Sequence, residues 1–380
     1  MSVNLLSRSV LKENEYALKI APLADDFGLA ISLSDRSIRF ISYNSSKVSP
    51  TFVINDAHVE SITDIKSLSS SNIVSCGADG VKIWDVRTGG HSPQAHLTST
   101  LPNHGILSLD ISFDFNRIAA GTELFASDAG VHVWDIRNLK YPLVSYVDSH
   151  NDDVTAVRFH PQKLNCLISG STDGLINIYD TNINDEDDAV YQTINHEASI
   201  HSTGFISEKK IYALSHMETF SIYDVADPDS SVVEPPPCRF GDIRKLWKCE
   251  YVIDVIPGYI ACGSSSISNF KLIPFINENA KVHDAITFQG GHKEEVVRSI
   301  YYSEKLHTLY SCGEDGAVTL WDTKDLVNSN MSYTSWTSWN NPSNSKTENY
   351  TKSKVKIPET YRKENKSKKD SKKTKRYNPY

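Results

Sequence analysis

Hydrophobic residues along this chain fall in short alternating runs. "VTAVRFH" (154–160) and "VVRSIYY" (296–302) alternate, whereas "CLISGS" (166–171) is apolar and then small. A period of two puts successive side chains on opposite faces of a strand. Other runs end on an aromatic residue followed by Asp: Trp84–Asp85, Trp134–Asp135, Tyr179–Asp180, Tyr223–Asp224 and Trp321–Asp322. The aromatic positions lie 50, 45, 44 and 98 residues apart, and the last interval is twice 49. That doubling predicts a degenerate member near Ile273, within 251–275, and one step back from Trp84 the pattern of 16–43 predicts another near Ile41. Seven units of 43 to 50 residues result. Short strands split by Gly/Asp turns at this period predict a β-propeller.

Each unit has one internal order. His58, His104, His150, His196 and His292 open five of them, and a turn later in the unit carries Asp79, Asp128, Asp173, Glu218 or Asp315. Gly80, Gly174 and Gly316 suit turn positions of positive φ. The third unit has Ala120 near the position of Ser elsewhere and an enlarged turn (121–130), and the fifth has Glu218 in place of Asp. The first and sixth have neither His nor acid in register, and the sixth has a long Pro-rich approach (227–247). No fourth strand follows Trp321–Asp322, while 2–10 is strand-like and precedes the first full unit. It is expected to complete the last blade, so that the ring has no open edge. The expected architecture is all-β: a seven-bladed propeller over 1–325, closed by an N-terminal strand, then a disordered tail over 326–380.

The units resemble the WD40 repeat family over roughly 1–325, and the last, "GGHKEEVVRSIYYSEKLHTLYSCGEDGAVTLWD" (290–322), is similar to the family of WD repeat-containing protein eighty-nine. The resemblance implies a hydrogen-bonded tetrad in each well-formed blade. Carried onto this chain, it gives His58, Ser75, Asp79 and Trp84; His150, Ser169, Asp173 and Tyr179; and His292, Ser311, Asp315 and Trp321. The residue types make sense, because a buried indole or phenol needs a partner and an acid fixes the imidazole in one tautomer. The family is overwhelmingly non-enzymatic, so protein partners are expected rather than a substrate.

"SCGADGVKIWDVR" (75–87) and "SCGEDGAVTLWD" (311–322) contain Cys, acid and, upstream, His, the ingredients of a nucleophilic site. A catalytic set would occur once, yet the His/acid pair recurs in five units and Cys accompanies it in two. Alternation also points Cys76 away from Ser75. The six cysteines form no C-x-x-C pair, so no metal site is expected and nothing asks for a cofactor. The N-terminus lacks a signal-peptide layout, and no window approaches the ~18 apolar residues of a membrane span. The chain reads as intracellular and soluble, with no membrane partner.

Charge divides the molecule. Residues 352–376 carry a net +9 of an overall −8, which leaves −17 on the remainder. In the WD40 family the loops after each His lie on one face, and here they are mostly acidic. Glu60, Asp152, Asp153, Glu294 and Glu295 are therefore candidates to dock a Lys/Arg-rich partner, with a solvated rim as the bland alternative. "WDVR" (84–87) and "WDIR" (134–137) resemble the Trp-Asp-x-Arg box of cullin-RING ubiquitin-ligase substrate receptors, making Arg87 and Arg137 candidates for adaptor contact. In the tail, 329–354 is Ser/Asn/Thr-rich apart from Trp336 and Trp339, which either tuck back onto the propeller or serve as a binding peptide. Arg362, Lys363, Lys368, Lys369, Lys372, Lys373, Lys375 and Arg376 read as a nuclear-import segment with weak nucleic-acid affinity. The sequence thus predicts a non-enzymatic scaffold, a monomer within a larger complex, nuclear or nucleolar with the cytoplasm as fallback. It would escort a basic protein in ribosome assembly or chromatin processes, or alternatively act as a ligase receptor.

Overall fold

The computed structural model describes residues 3–23, 28–42, 50–89, 92–112, 116–227, 235–303 and 305–324. Its strands form seven antiparallel sheets, the blades of a propeller. Blade one holds Ala17–Leu23, Gly28–Leu33, Ile38–Ile41 and Pro50–Ile54, and blade two holds Ile62–Ser67, Asn72–Gly77, Gly80–Asp85 and Ala95–Leu97. Blades three to six begin with the inner strands Ile106–Ser112, Val154–Phe159, Ile200–Ser207 and Tyr251–Ile256. Blade seven consists of Val297–Ser303, Thr308–Gly313, Ala317–Asp322 and, as its outer strand, Asn4–Val10. Inner strands of consecutive blades touch from blade one to blade five, and those of blades six and seven and of seven and one touch as well.

The register explains why two units look degenerate. In blade two Trp84 pairs with Ile73, the second residue of its neighbouring strand. Ile41 pairs with Leu29 in blade one and Ile273 with Ile260 in blade six, both at that same position. An aliphatic side chain replaces the aromatic one without disturbing the pairing.

Alternation then builds the core. Along Gly80–Asp85, Val81 and Ile83 pack in a cluster with blade three, while Trp84 packs in a cluster with blade one. A similar apolar cluster fills each of the other five junctions. Central strands are therefore buried on both faces and read as nearly continuous apolar runs. The turn glycines have the expected backbone, with φ of 108° at Gly80, 86° at Gly174 and 64° at Gly316.

Closure is antiparallel, running from Asn4 opposite Asp322 to Val10 opposite Ala317. Arg8 fastens it. Its Nε donates to the Gly291 carbonyl at 3.0 Å and its Nη2 to Asp315 Oδ2 at 2.8 Å. The tail residues singled out above, Trp336, Trp339 and the basic run 362–376, lie outside the described residues.

Candidate functional site

Inner strands start at one face of the ring, the upper face, which also carries the His residues and the turns into the third strands. Third strands end at the lower face. In blade two, His58 Nε2 is 2.7 Å from Ser75 Oγ, Ser75 Oγ accepts the Trp84 indole N–H at 2.9 Å, and His58 Nδ1 meets Asp79. In blade four, His150 lies 3.0 Å from Asp173 and 2.6 Å from Ser169 Oγ, which is 3.0 Å from the Tyr179 hydroxyl. In blade seven, His292 lies 2.8 Å from Asp315 and 2.9 Å from Ser311 Oγ, which accepts the Trp321 indole N–H at 3.1 Å.

With the acid on Nδ1–H, Nε2 is left to accept the serine proton, so each serine both donates and accepts. The glycine after each "SC" lets the ring lie on the strand. A Cβ on Gly77 would meet the Ser61 carbonyl at 2.9 Å and His58 Nδ1 at 3.1 Å. Burial alone would raise the Asp79 carboxyl, but bonds from Lys82 and His58 outweigh it and hold it at about 2. Asp315 is likewise held at about 2, with His292 and Arg8 outweighing burial. Cys76 faces the junction with blade three, where burial pushes its thiol up to about 12, so it is not a thiolate at neutral pH.

Blades three and five depart from the expected arrangement. At the serine register of blade three stands Ala120, opposite His132. His104 Nε2 meets the Asp128 main-chain carbonyl at 2.9 Å rather than its carboxylate, because the enlarged turn carries that side chain outward. His132 bridges Ser99 at 2.8 Å and Ser145 at 3.0 Å, and burial lowers it to about 4. In blade five, Glu218 turns away from His196 and accepts the Val252 amide of blade six at 3.1 Å. It has one methylene more than Asp and sits at φ 59°, and burial raises it to about 6. His196 instead meets the Tyr223 hydroxyl and Thr219 Oγ1, each at 3.0 Å.

Two features had weak sequence signals. The approach to blade six contains a short helix, Ile243–Trp247. Trp247 lies four residues before its inner strand, the spacing of His58, His150 and His196, and is fully buried with no partner for Nε1. The acidic run 182–190 is largely exposed and contains one helical turn, Glu186–Ala189. Glu186 accepts the main-chain amides of Val147 (2.6 Å) and Ser149 (2.7 Å) and so braces blade three against blade four.

The candidate docking acids are distributed unevenly. Glu60, Glu294 and Glu295 are exposed on the upper face, and none makes a side-chain hydrogen bond or ion pair among the described residues. Asp152 and Asp153 are half-buried; Asp152 accepts the next amide at 2.9 Å and Asp153 the Leu124 amide at 2.8 Å. At the lower face, Arg87 forks onto Asp85 at 3.0 and 2.7 Å, and Arg137 forks onto Asp135 at 2.9 and 2.6 Å. Arg244 makes the same fork onto Asp242 outside any Trp-Asp-x-Arg box, so the fork belongs to the local Asp-x-Arg turn. Among the described residues, no three His, Cys, Asp or Glu side chains group as metal ligands, and no helix is long and apolar enough to cross a membrane.

A closed ring of seven blades, six of four strands and the sixth of five, with buried His–Ser–aromatic struts in blades two, four and seven, defines a WD-type propeller, a rigid frame that presents loops to protein partners. The chain belongs to the WD40-repeat family. The family description "WD domain, G-beta repeat" matches residues 95–135, 141–180 and 285–322. An uncharacterised WD repeat-containing protein of Saccharomyces cerevisiae is 39% identical over 85% of this chain and 82% of its own length. A second, from Schizosaccharomyces pombe, is 31% identical over 70% of this chain and 83% of its own length. The WD repeat-containing protein 89 homolog of Dictyostelium discoideum is 28% identical over 70% of this chain and 72% of its own length. Such propellers are typically non-catalytic interaction scaffolds.

Proposed function

We propose that this scaffold docks a Lys/Arg-rich protein segment on its upper face, in the nucleus, as an escort or platform in ribosome assembly or chromatin processes. The observation that carries the reading is the exposed acids Glu60, Glu294 and Glu295, unpaired among the described residues and set on a body of net −17. Like charges facing solvent on one rigid surface raise the local concentration of a basic partner and speed its capture, with a steep dependence on salt. Asp153, accepting the Leu124 amide, ties the entry to blade four to the enlarged turn of blade three. The basic run 362–376 supports nuclear import and gives the tail weak, salt-sensitive affinity for nucleic acid.

The test is charge reversal. Glu60→Lys, Glu294→Lys and Glu295→Lys combined should leave the melting temperature within a few degrees, since the sites are exposed. The variant should lose basic ribosome-assembly or chromatin proteins from affinity purifications at moderate salt. An unchanged set of basic partners, or recovery of neither class with the native protein, would overturn the reading.

A further inference from the structure

A cavity of about 390 Å³ opens on the lower face at the junction of blades one and two. Its apolar wall is Leu23, Phe40, Phe52 and Val86, with Phe40 and Phe52 stacked at a centroid distance of 5.0 Å. Ser70, Ser71, Thr51 and Arg87 supply its polar edge. Arg87 is 72% exposed and held edge-on by Asp85, so the faces of its guanidinium plane are not used in hydrogen bonding. An aromatic wall, a planar cation and a few hydroxyls suit one large aromatic group carrying a single N–H donor.

We propose that this cavity receives an indole of the chain's own 333–339 segment, "YTSWTSW". The segment follows Ala317–Asp322, a third strand that ends on the same face as the cavity. Trp336 lies 12 residues beyond Lys324, a span of up to about 40 Å when extended. The cavity is one blade beyond blade seven, and sheets packed face to face are about 10 Å apart, so the path needs roughly 20 Å. The indole ring lies against the stacked phenyl rings and under the guanidinium plane, and its N–H reaches the hydroxyl edge. Arg87 then serves as the cation of an internal aromatic clasp rather than as an exposed contact for another protein.

Two readouts on the full chain test this. The chain has six tryptophans, and the four within the described residues, Trp84, Trp134, Trp247 and Trp321, are all buried. Acrylamide quenching of the native protein should therefore reveal accessible emission from the one tail indole left outside, and Phe52→Ser should roughly double that component, which Trp336→Phe combined with Trp339→Phe removes. An accessible component of the same size in the native protein and in Phe52→Ser overturns the proposal. Should Phe52→Ser fail to fold, p-benzoylphenylalanine placed at position 52 gives the second readout. Irradiation should join it to a tryptic peptide containing 333–339 within a monomer. Links only to 43–49, to a second chain or to no tail peptide reject the clasp.

Discussion

At the scale of single residues, the Ser75 hydroxyl is the hub of its blade. It accepts from the Trp84 indole and donates to His58, and all three side chains are buried. Ser75→Ala leaves a buried donor and a buried acceptor unpartnered, and should lower unfolding free energy by about 2–3 kcal/mol in urea titrations. Blade three already has Ala120 at this register, and it moves the polar role to His132 on the adjoining strand. Glu218 behaves oppositely to the strut acids. Burial raises its folded pKa to about 6, above the 4.5 of an ordinary glutamate, so the folded state binds the extra proton between those values and gains stability as pH falls through that window. Glu218→Gln keeps an acceptor for Val252 and removes the buried charge. It should raise the melting temperature at pH 7.5 and change it little at pH 4.5, as read by circular dichroism. Asp79 and Asp315, held at about 2, instead give stability that is present above pH 3.8 and lost toward pH 2.

At the scale of elements, the closing strand combines main-chain pairing with one charged clasp, Arg8 on Asp315. Removing residues 2–10 uncovers the edge of Ala317–Asp322 and should yield unfolded or self-associated protein; an unchanged melting temperature and a monomer by light scattering would contradict this. Arg8→Ala keeps the strand and should cost about 2 kcal/mol, with weaker resistance to acid as Asp315 loses a partner. Strands were legible because period-2 alternation and spacing repeat, and this located even Ile41 and Ile273. The residues that meet in blades two, four and seven were legible through the resemblance to WD40 repeats, which implies the four positions of each strut. Ile243–Trp247 was not, since five residues of helix carry too few turns for a 3.6-residue period to emerge beside a Pro-rich stretch. Nor was Glu186, because an acid that caps distant amides looks in sequence like any acid in a run. Glu218 was placed in its turn but not aimed, since direction depends on backbone φ and on the neighbouring blade.

For the whole molecule, the division of charge between body and C-terminal segment governs the proposed localisation. Deleting 352–380 removes the basic run while leaving every described residue in place. Nuclear accumulation of a fluorescent fusion should then be lost; unchanged distribution would contradict import through this segment. The shared blade seven also sets an order of events during synthesis. Asn4–Val10 is made before the other six blades, and its partner Ala317–Asp322 only after them. At roughly 5–20 residues per second, the leading strand waits on the order of half a minute, unsheltered, until the chain that completes the ring emerges from the ribosome. Over that interval the growing chain is an open arc with a strand's worth of unsatisfied amides at its head, and a chaperone that covers this stretch would protect the molecule better than one acting after release.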